Sequence, residues 1–88
     1  MPMKRLFLEP KALEDMEYWL GSDRRILAKV IELMKDICRD PFSGLGKPER
    51  LRGDLAGAWS RRITGEHRIV YVVKGEEIAI ASCRFHYK

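Results

Sequence analysis

The sequence predicts an α+β fold: an N-terminal strand, a helical hairpin and then an antiparallel meander, giving a twisted sheet with helices packed on one face. Three observations carry this prediction. Apolar residues recur at helical spacing through the first half of the chain and alternate at strand spacing through the second, while glycine and proline crowd the stretch between. No repeat, low-complexity tract or linker divides the chain, so residues 1–88 read as one domain.

The first element is the run "KRLFLEP", a short strand that Pro10 closes. Pro10 also suits the first position of a helix, where its missing N–H is one that a helix start leaves unbonded anyway, and Gly21 marks the exit. Ser22 or Asp23 can cap a second helix, in which Ile26, Leu27, Val30, Ile31, Met34, Ile37 and Cys38 keep helical spacing until "RDPF" breaks it. The tight "GSD" junction makes the two helices a hairpin whose apolar stripes cover a sheet. Residues 40–58, "DPFSGLGKPERLRGDLAGA", hold no period and read as a long ordered loop, a kind of segment that often carries function. Three strands follow, "AWSRRIT", "HRIVYVV" and "EIAIASCRFH", joined by the short glycine-bearing links "GE" and "KGE" that antiparallel hairpins require.

Composition bounds the function. A chain of 88 residues with 45% hydrophobic content has room for one modest core. Seventeen Lys and Arg against 13 Asp and Glu leave a net charge of +4, which points to an anionic partner and leaves nucleic acid, an acidic protein and a membrane surface open. The opening "MPMKRLFLEP" has three consecutive apolar residues, far short of a signal-peptide core or a membrane span, so the expectation is a cytoplasmic protein. Cys38 and Cys83 lack metal-ligand spacing and sit in apolar runs, the pattern of buried thiols.

Alternate residues of a strand share a face. Arg68 is in phase with Val70 and Val72, and His86 is in phase with Ile78, Ile80, Ser82 and Arg84, which permits an arginine, a histidine and loop residues to cluster over the sheet. If the partner is RNA, cleavage through its own 2′-hydroxyl needs a base, a cation for the phosphorane charge and an acid for the departing 5′-oxygen. Glu49, Arg68 and His86 form such a set with no metal or cofactor, and Tyr87 adds a ring for stacking or a phenol for phosphate. Blander roles stand beside these. Glu49 could pair with Arg50 or Arg52, Arg68 with Glu66 or a cross-strand acid, and His86 could be a surface histidine. Trp19 and Trp59 read as core or interface anchors, and His67, opposite in phase to Arg68, reads as exposed or structural.

"YWL" and "DRRI" in the hairpin, "DPFSGLGKPERL" in the loop, "AWSRRITGEHRIVY" and the final "CRFHY" occur in an order and spacing that resemble the YoeB-type toxins of the RelE/ParE superfamily across the whole chain. The resemblance implies a RelE-like microbial RNase fold and the toxin of a type II toxin–antitoxin system, a ribosome-dependent mRNA interferase that cleaves in the ribosomal A site. It implies Glu49 as general base, Arg68 as phosphate stabiliser, His86 as general acid and Tyr87 as an RNA-orienting residue. Lys47, Arg52, Arg61 and Arg62 become candidate contacts to phosphate and ribosomal RNA, although Arg61 and Arg62 split across the two faces and one of them alone is expected to touch RNA. The implied partners are a cognate YefM-like antitoxin with an acidic or disordered toxin-binding segment, the 70S ribosome with its mRNA, operator DNA through the antitoxin complex, and a second copy of the chain. Phe85, where the family commonly has tyrosine, and Lys88, beyond the usual terminal tyrosine, depart from the pattern. The rival reading is a non-catalytic basic module that binds nucleic acid or an antitoxin in transcriptional autoregulation. The coexistence of Glu49, Arg68 and His86 favours the enzyme.

Overall fold

The computed structural model describes residues 4–85. The order is β1 (Arg5–Leu8), α1 (Pro10–Ser22), α2 (Arg24–Arg39), β2 (Glu49–Arg50), a 3-10 turn at Gly53–Leu55, β3 (Ala58–Arg62), β4 (Arg68–Lys74) and β5 (Glu77–Ser82). The strands form one sheet in the order β1-β5-β4-β3-β2. β1 runs parallel to β5, because the helical hairpin carries the chain over one face, and the remaining pairs are antiparallel.

Pro10 opens α1 as expected, and Asp23 serves both helices: its backbone N–H donates to Trp19 O at the end of α1, and its carboxylate accepts from Arg25 N at the start of α2. The buried stripe of α2 is Val30, Leu33, Met34, Ile37 and Cys38. Leu33 therefore replaces Ile31 in the predicted set, since position 33 lies between 30 and 37 on the helix surface whereas Ile31 rotates out to solvent. Val30, Leu33, Met34 and Ile37, with Ala12 and Trp19 of α1, pack on Ile69, Tyr71, Ile78 and Ile80 of the sheet. Each fully buried aliphatic side chain contributes roughly 1.5–3 kcal/mol.

Among the described residues, neither α1 nor α2 contributes to the cluster on the opposite face of the sheet. Leu51, Ala58 and Val70, with Leu55, Val72 and Ala81 at their edges, make a small second cluster there. Two features differ from the sequence reading. The loop contains β2, whose Glu49 lies opposite Ser60 and Arg50 opposite Trp59. Two residues are too few to show a period. Between β4 and β5 the register slips, with Tyr71 opposite Ile80 but Val70 opposite Ser82, so Ala81 is an extra, bulged residue. The alternation assumed from Ile78 through Arg84 breaks there: Ile80 faces the helices with Tyr71, and Ser82 shares the uncovered face with Val70.

Candidate active site

Glu49, Ser60 and Arg68 meet on the uncovered face because β2, β3 and β4 are adjacent and their register puts Glu49 opposite Ser60 and Arg62 opposite Arg68. Arg68 Nη1 lies 3.5 Å from Glu49 Oε1 and donates to Ser60 Oγ at 3.3 Å. The Arg68 side chain is 14% exposed and that of Glu49 is 56% exposed, so the guanidinium is recessed and the carboxylate stands toward solvent. Arg68 thus pairs with a cross-strand acid, and that acid is the carboxylate singled out for catalysis. Arg62, exposed, faces Arg68 directly across the strands. Like charges in that position repel each other and favour an anion between them.

Backbone conformation marks both approaches to this face. Among the described residues, Lys47 and Phe85 are the non-glycine positions with positive φ, at 54° and 66°. Lys47 is exposed and lies two residues before Glu49, and Phe85 immediately precedes His86 in the chain. Left-handed backbone at bulky residues is uncommon and concentrates at functional sites. Arg52 is exposed between β2 and the 3-10 turn. His86 and Tyr87 lie outside the described residues.

Arg61 is a correction. Expected among the RNA contacts, it is fully buried beneath the helices on the other face of β3. Its Nη1 donates to Asp36 Oδ2 at 2.5 Å and to Leu45 O at 3.1 Å, its Nη2 donates to Asp40 O at 2.6 Å and Ser43 O at 3.1 Å, and its Nε donates to Tyr71 Oη at 3.1 Å. Tyr71 in turn donates to Pro41 O at 2.7 Å. One guanidinium therefore satisfies three carbonyls of residues 40–45, using the planar donor fork that only arginine has. Glycine lets the loop come this close. A Cβ on Gly46 (φ +78°) would meet Arg62 O at 2.9 Å, and one on Gly44 (φ +127°) would meet Asp36 Oδ2 at 2.1 Å.

Burial pushes the Asp36 carboxyl up, but the Leu45 N–H, Arg39 and Arg61 outweigh that and hold its pKa at about 2, below the ordinary 3.8. The thiols behave as expected of buried cysteines. Burial, helped by the charge of Asp15, raises Cys83 to about 12, and burial raises Cys38. Trp19 is buried in the core, while Trp59 is half-buried with its ring 5.0 Å from that of Phe42. Among the described residues, no group of three or more His, Cys, Asp or Glu is arranged to hold a metal, and no helix is long and apolar enough to cross a membrane.

The site therefore offers a carboxylate beside a recessed guanidinium, with further cations around them on an open sheet. Residues 8–87 match the family model described as the YoeB-like toxin of bacterial type II toxin–antitoxin systems. The chain belongs to the YoeB-like toxin family. It is 49% identical to Toxin YoeB of Escherichia coli K12 over 83 residues, which cover 94% of this chain and 99% of that relative. The fold superposes on a YoeB dimer from Staphylococcus aureus with a TM-score of 0.87 at 43% identity, over 97% of this chain and 99% of the other. It also matches the toxin of a heterotetrameric YoeB–YefM toxin–antitoxin complex from the same organism, with a TM-score of 0.85 at 44% identity and coverage of 96% and 98%. The chain is a toxin of a type II toxin–antitoxin system with the α+β fold of that family.

Two contributors escaped the sequence reading. Ser60 holds Arg68, and its signal was strand parity read across to a strand, β2, that the sequence hides. Asp36 anchors Arg61 from α2, and its only signal was an acid on the edge of an otherwise apolar stripe.

Proposed function

We propose that this toxin is a ribosome-dependent mRNA interferase, a metal-independent endoribonuclease acting as one domain in the cytoplasm and blocking translation by cutting mRNA in the ribosomal A site. The observation that carries the reading is the pairing of Glu49 with Arg68 on the uncovered, cation-flanked face of the sheet. Glu49 takes the proton of the RNA 2′-hydroxyl, whose oxygen attacks the adjacent phosphorus. Arg68 stabilises the charge that gathers on the phosphorane oxygens, His86 protonates the 5′-oxygen as the P–O bond breaks, and Tyr87 orients the RNA. The products are a 2′,3′-cyclic phosphate, opening to a 3′-phosphate, and a free 5′-hydroxyl.

An ion pair at 3.5 Å with one partner largely exposed holds the site loosely. Separating such a pair costs about 0–1 kcal/mol, so an incoming phosphate can take Arg68 and leave Glu49 as a base. Lys47, Arg52 and Arg62, all exposed, supply phosphate and ribosomal RNA contacts. The ribosome contributes proximity and orientation, and the chain's own base and acid leave room for slow cleavage of free RNA. By analogy with the YoeB–YefM complex and the YoeB dimer of Staphylococcus aureus, the partners are a YefM-like antitoxin with an acidic or disordered toxin-binding segment and a second copy of the chain, with operator DNA reached through the antitoxin complex.

The test is to incubate the protein with a defined mRNA on programmed 70S ribosomes and map the new ends. Cleavage with cyclic or 3′-phosphate ends, lost in folded Glu49→Ala, Arg68→Ala and His86→Ala, is expected. An inert parent protein that still binds its antitoxin would overturn the proposal.

A further inference from the structure

β5 ends at Ser82, and beyond it side chains take part in holding the backbone of Cys83 and Phe85. Cys83 N–H donates to Asp15 Oδ2 at 2.9 Å and Cys83 O accepts from Trp19 Nε1 at 2.9 Å, both partners lying on α1. At Phe85 the hold passes to β4. Its N–H donates to His67 Nδ1 at 2.7 Å, and its carbonyl accepts from the backbone N–H of Arg68 at 3.2 Å. Two consecutive residues, 67 and 68, therefore grip both polar groups of one residue whose φ of 66° is left-handed. A phenylalanine keeps such a backbone only where its surroundings fix it.

His67 is itself rigidly mounted. Its N–H donates to Thr64 Oγ1 at 3.2 Å, its carbonyl accepts from Ile63 N at 2.9 Å and Thr64 N at 3.2 Å, and its ring stands edge-on to Trp19 with centroids 4.7 Å apart. Nδ1 is the ring atom that accepts from Phe85. The hairpin turn thus passes its rigidity through one imidazole to the residue that covalently precedes His86, beside the arginine of the site.

We infer that His67 is a positioning residue: its Nδ1, accepting the Phe85 N–H, fixes the backbone of the residue that precedes His86 in the sequence relative to Arg68. This rests on the interferase reading for its effect on rate, though the clip itself is a property of the fold. On this inference His67 acts through Phe85, so its removal is expected to lower kcat and to leave ribosome binding alone. Misplacement of a catalytic group by about 1 Å costs on the order of 10²-fold in rate.

Two substitutions separate the acceptor from the ring. His67→Phe keeps an aromatic ring beside Trp19 but has no acceptor, while His67→Asn carries Oδ1 near the position of Nδ1 and has no ring. Single-turnover cleavage on programmed ribosomes and hydrogen exchange of the Phe85 amide are measured for both and for the parent, well below each melting temperature. The expected result is a loss of roughly 10- to 100-fold in kcat for His67→Phe with KM within about threefold. His67→Asn retains most of the rate. The Phe85 amide is protected in the parent and in His67→Asn and exchanges freely in His67→Phe, and His67→Leu serves as the acceptor-free variant if the phenyl ring prevents folding. Parental kcat together with a protected Phe85 amide in the acceptor-free variant overturns the inference. So does an equal loss of rate in both substitutions with the amide protected throughout. If the parent protein does not cleave, the interferase reading falls, and the Phe85 amide alone decides whether His67 holds the segment.

Discussion

Arg61 and Arg62 are neighbours on β3, yet one is fully buried under the helices and the other is exposed opposite Arg68. The same contrast runs through the whole sheet. On the covered face the strands supply Ile69, Tyr71, Ile78 and Ile80 to a large core, and the buried cation there is consumed by five protein acceptors. On the open face Glu49, Ser60, Arg62 and Arg68 gather around a small cluster of Leu51, Ala58 and Val70. A side chain's task here is decided by strand parity more than by residue type. The covered face anchors the loop that leads into Glu49, and Glu49 itself lies on the open face beside Arg68.

The contrast breaks most visibly at Arg61. Removing one partner of a buried ion pair costs about 3–5 kcal/mol, and although Arg39 still faces Asp36, the loss of Arg61 also strands the carbonyls of Asp40, Ser43 and Leu45, so Arg61→Met lowers the melting temperature by roughly 15–30 °C in a domain this small. Thermal unfolding followed by circular dichroism checks this. A drop below about 5 °C would mean that the loop is held by something else.

Asp36 sharpens the same point through pH. Its carboxyl ionises at about 2 in the folded protein against an ordinary 3.8, so folding favours the charged form. The stabilisation, about 2 kcal/mol, is complete above pH about 4 and disappears as the pH falls through about 2. Urea unfolding between pH 2 and 6 is expected to show this loss in the parent, with a correspondingly smaller acid-dependent component in Asp36→Asn. Equal acid dependence in the two proteins would contradict the assignment.

The open face responds in the opposite sense. Arg62→Ala changes folding stability by no more than about 0.5 kcal/mol, since the side chain is exposed, but on the proposed function it removes one phosphate contact. The salt dependence of RNA binding then flattens by about 0.7 in the log–log slope for a single strand. An unchanged slope would remove Arg62 from the interface. The smallest effect concerns the thiols: with burial holding Cys83 at about 12 and raising Cys38, neither is expected to react with a thiol reagent at pH 8 until the protein unfolds. Labelling of the native protein on the mixing timescale would contradict that.

Much of this was legible in the sequence. Pro10 and Asp23 fix the helix boundaries through local chemistry, and local chemistry is what a sequence displays. The meeting of Glu49 and Arg68 was readable as a constellation of residue types and from the resemblance, but its geometry depends on β2, two residues long and without a period. The bulge at Ala81 was hidden for the opposite reason, because Ile78, Ile80 and Ser82 look like unbroken alternation while the pairing slips beneath it. Arg61 was misassigned as a surface cation although its opposite phase to Arg62 was recognised. A basic residue inside a core is rare, and nothing local announces that five acceptors await it.

The measurement that bears most directly on the account is the single-turnover rate of mRNA cleavage on programmed 70S ribosomes by Glu49→Gln, compared with the parent at matched folding stability. The substitution keeps the size of the side chain while removing its charge, and with it the ability to take a proton. The account predicts a fall of roughly 10²- to 10⁴-fold with an unchanged melting temperature. A rate within a factor of about three of the parent would show that Glu49 is a surface partner of Arg68 and that the chemistry lies elsewhere.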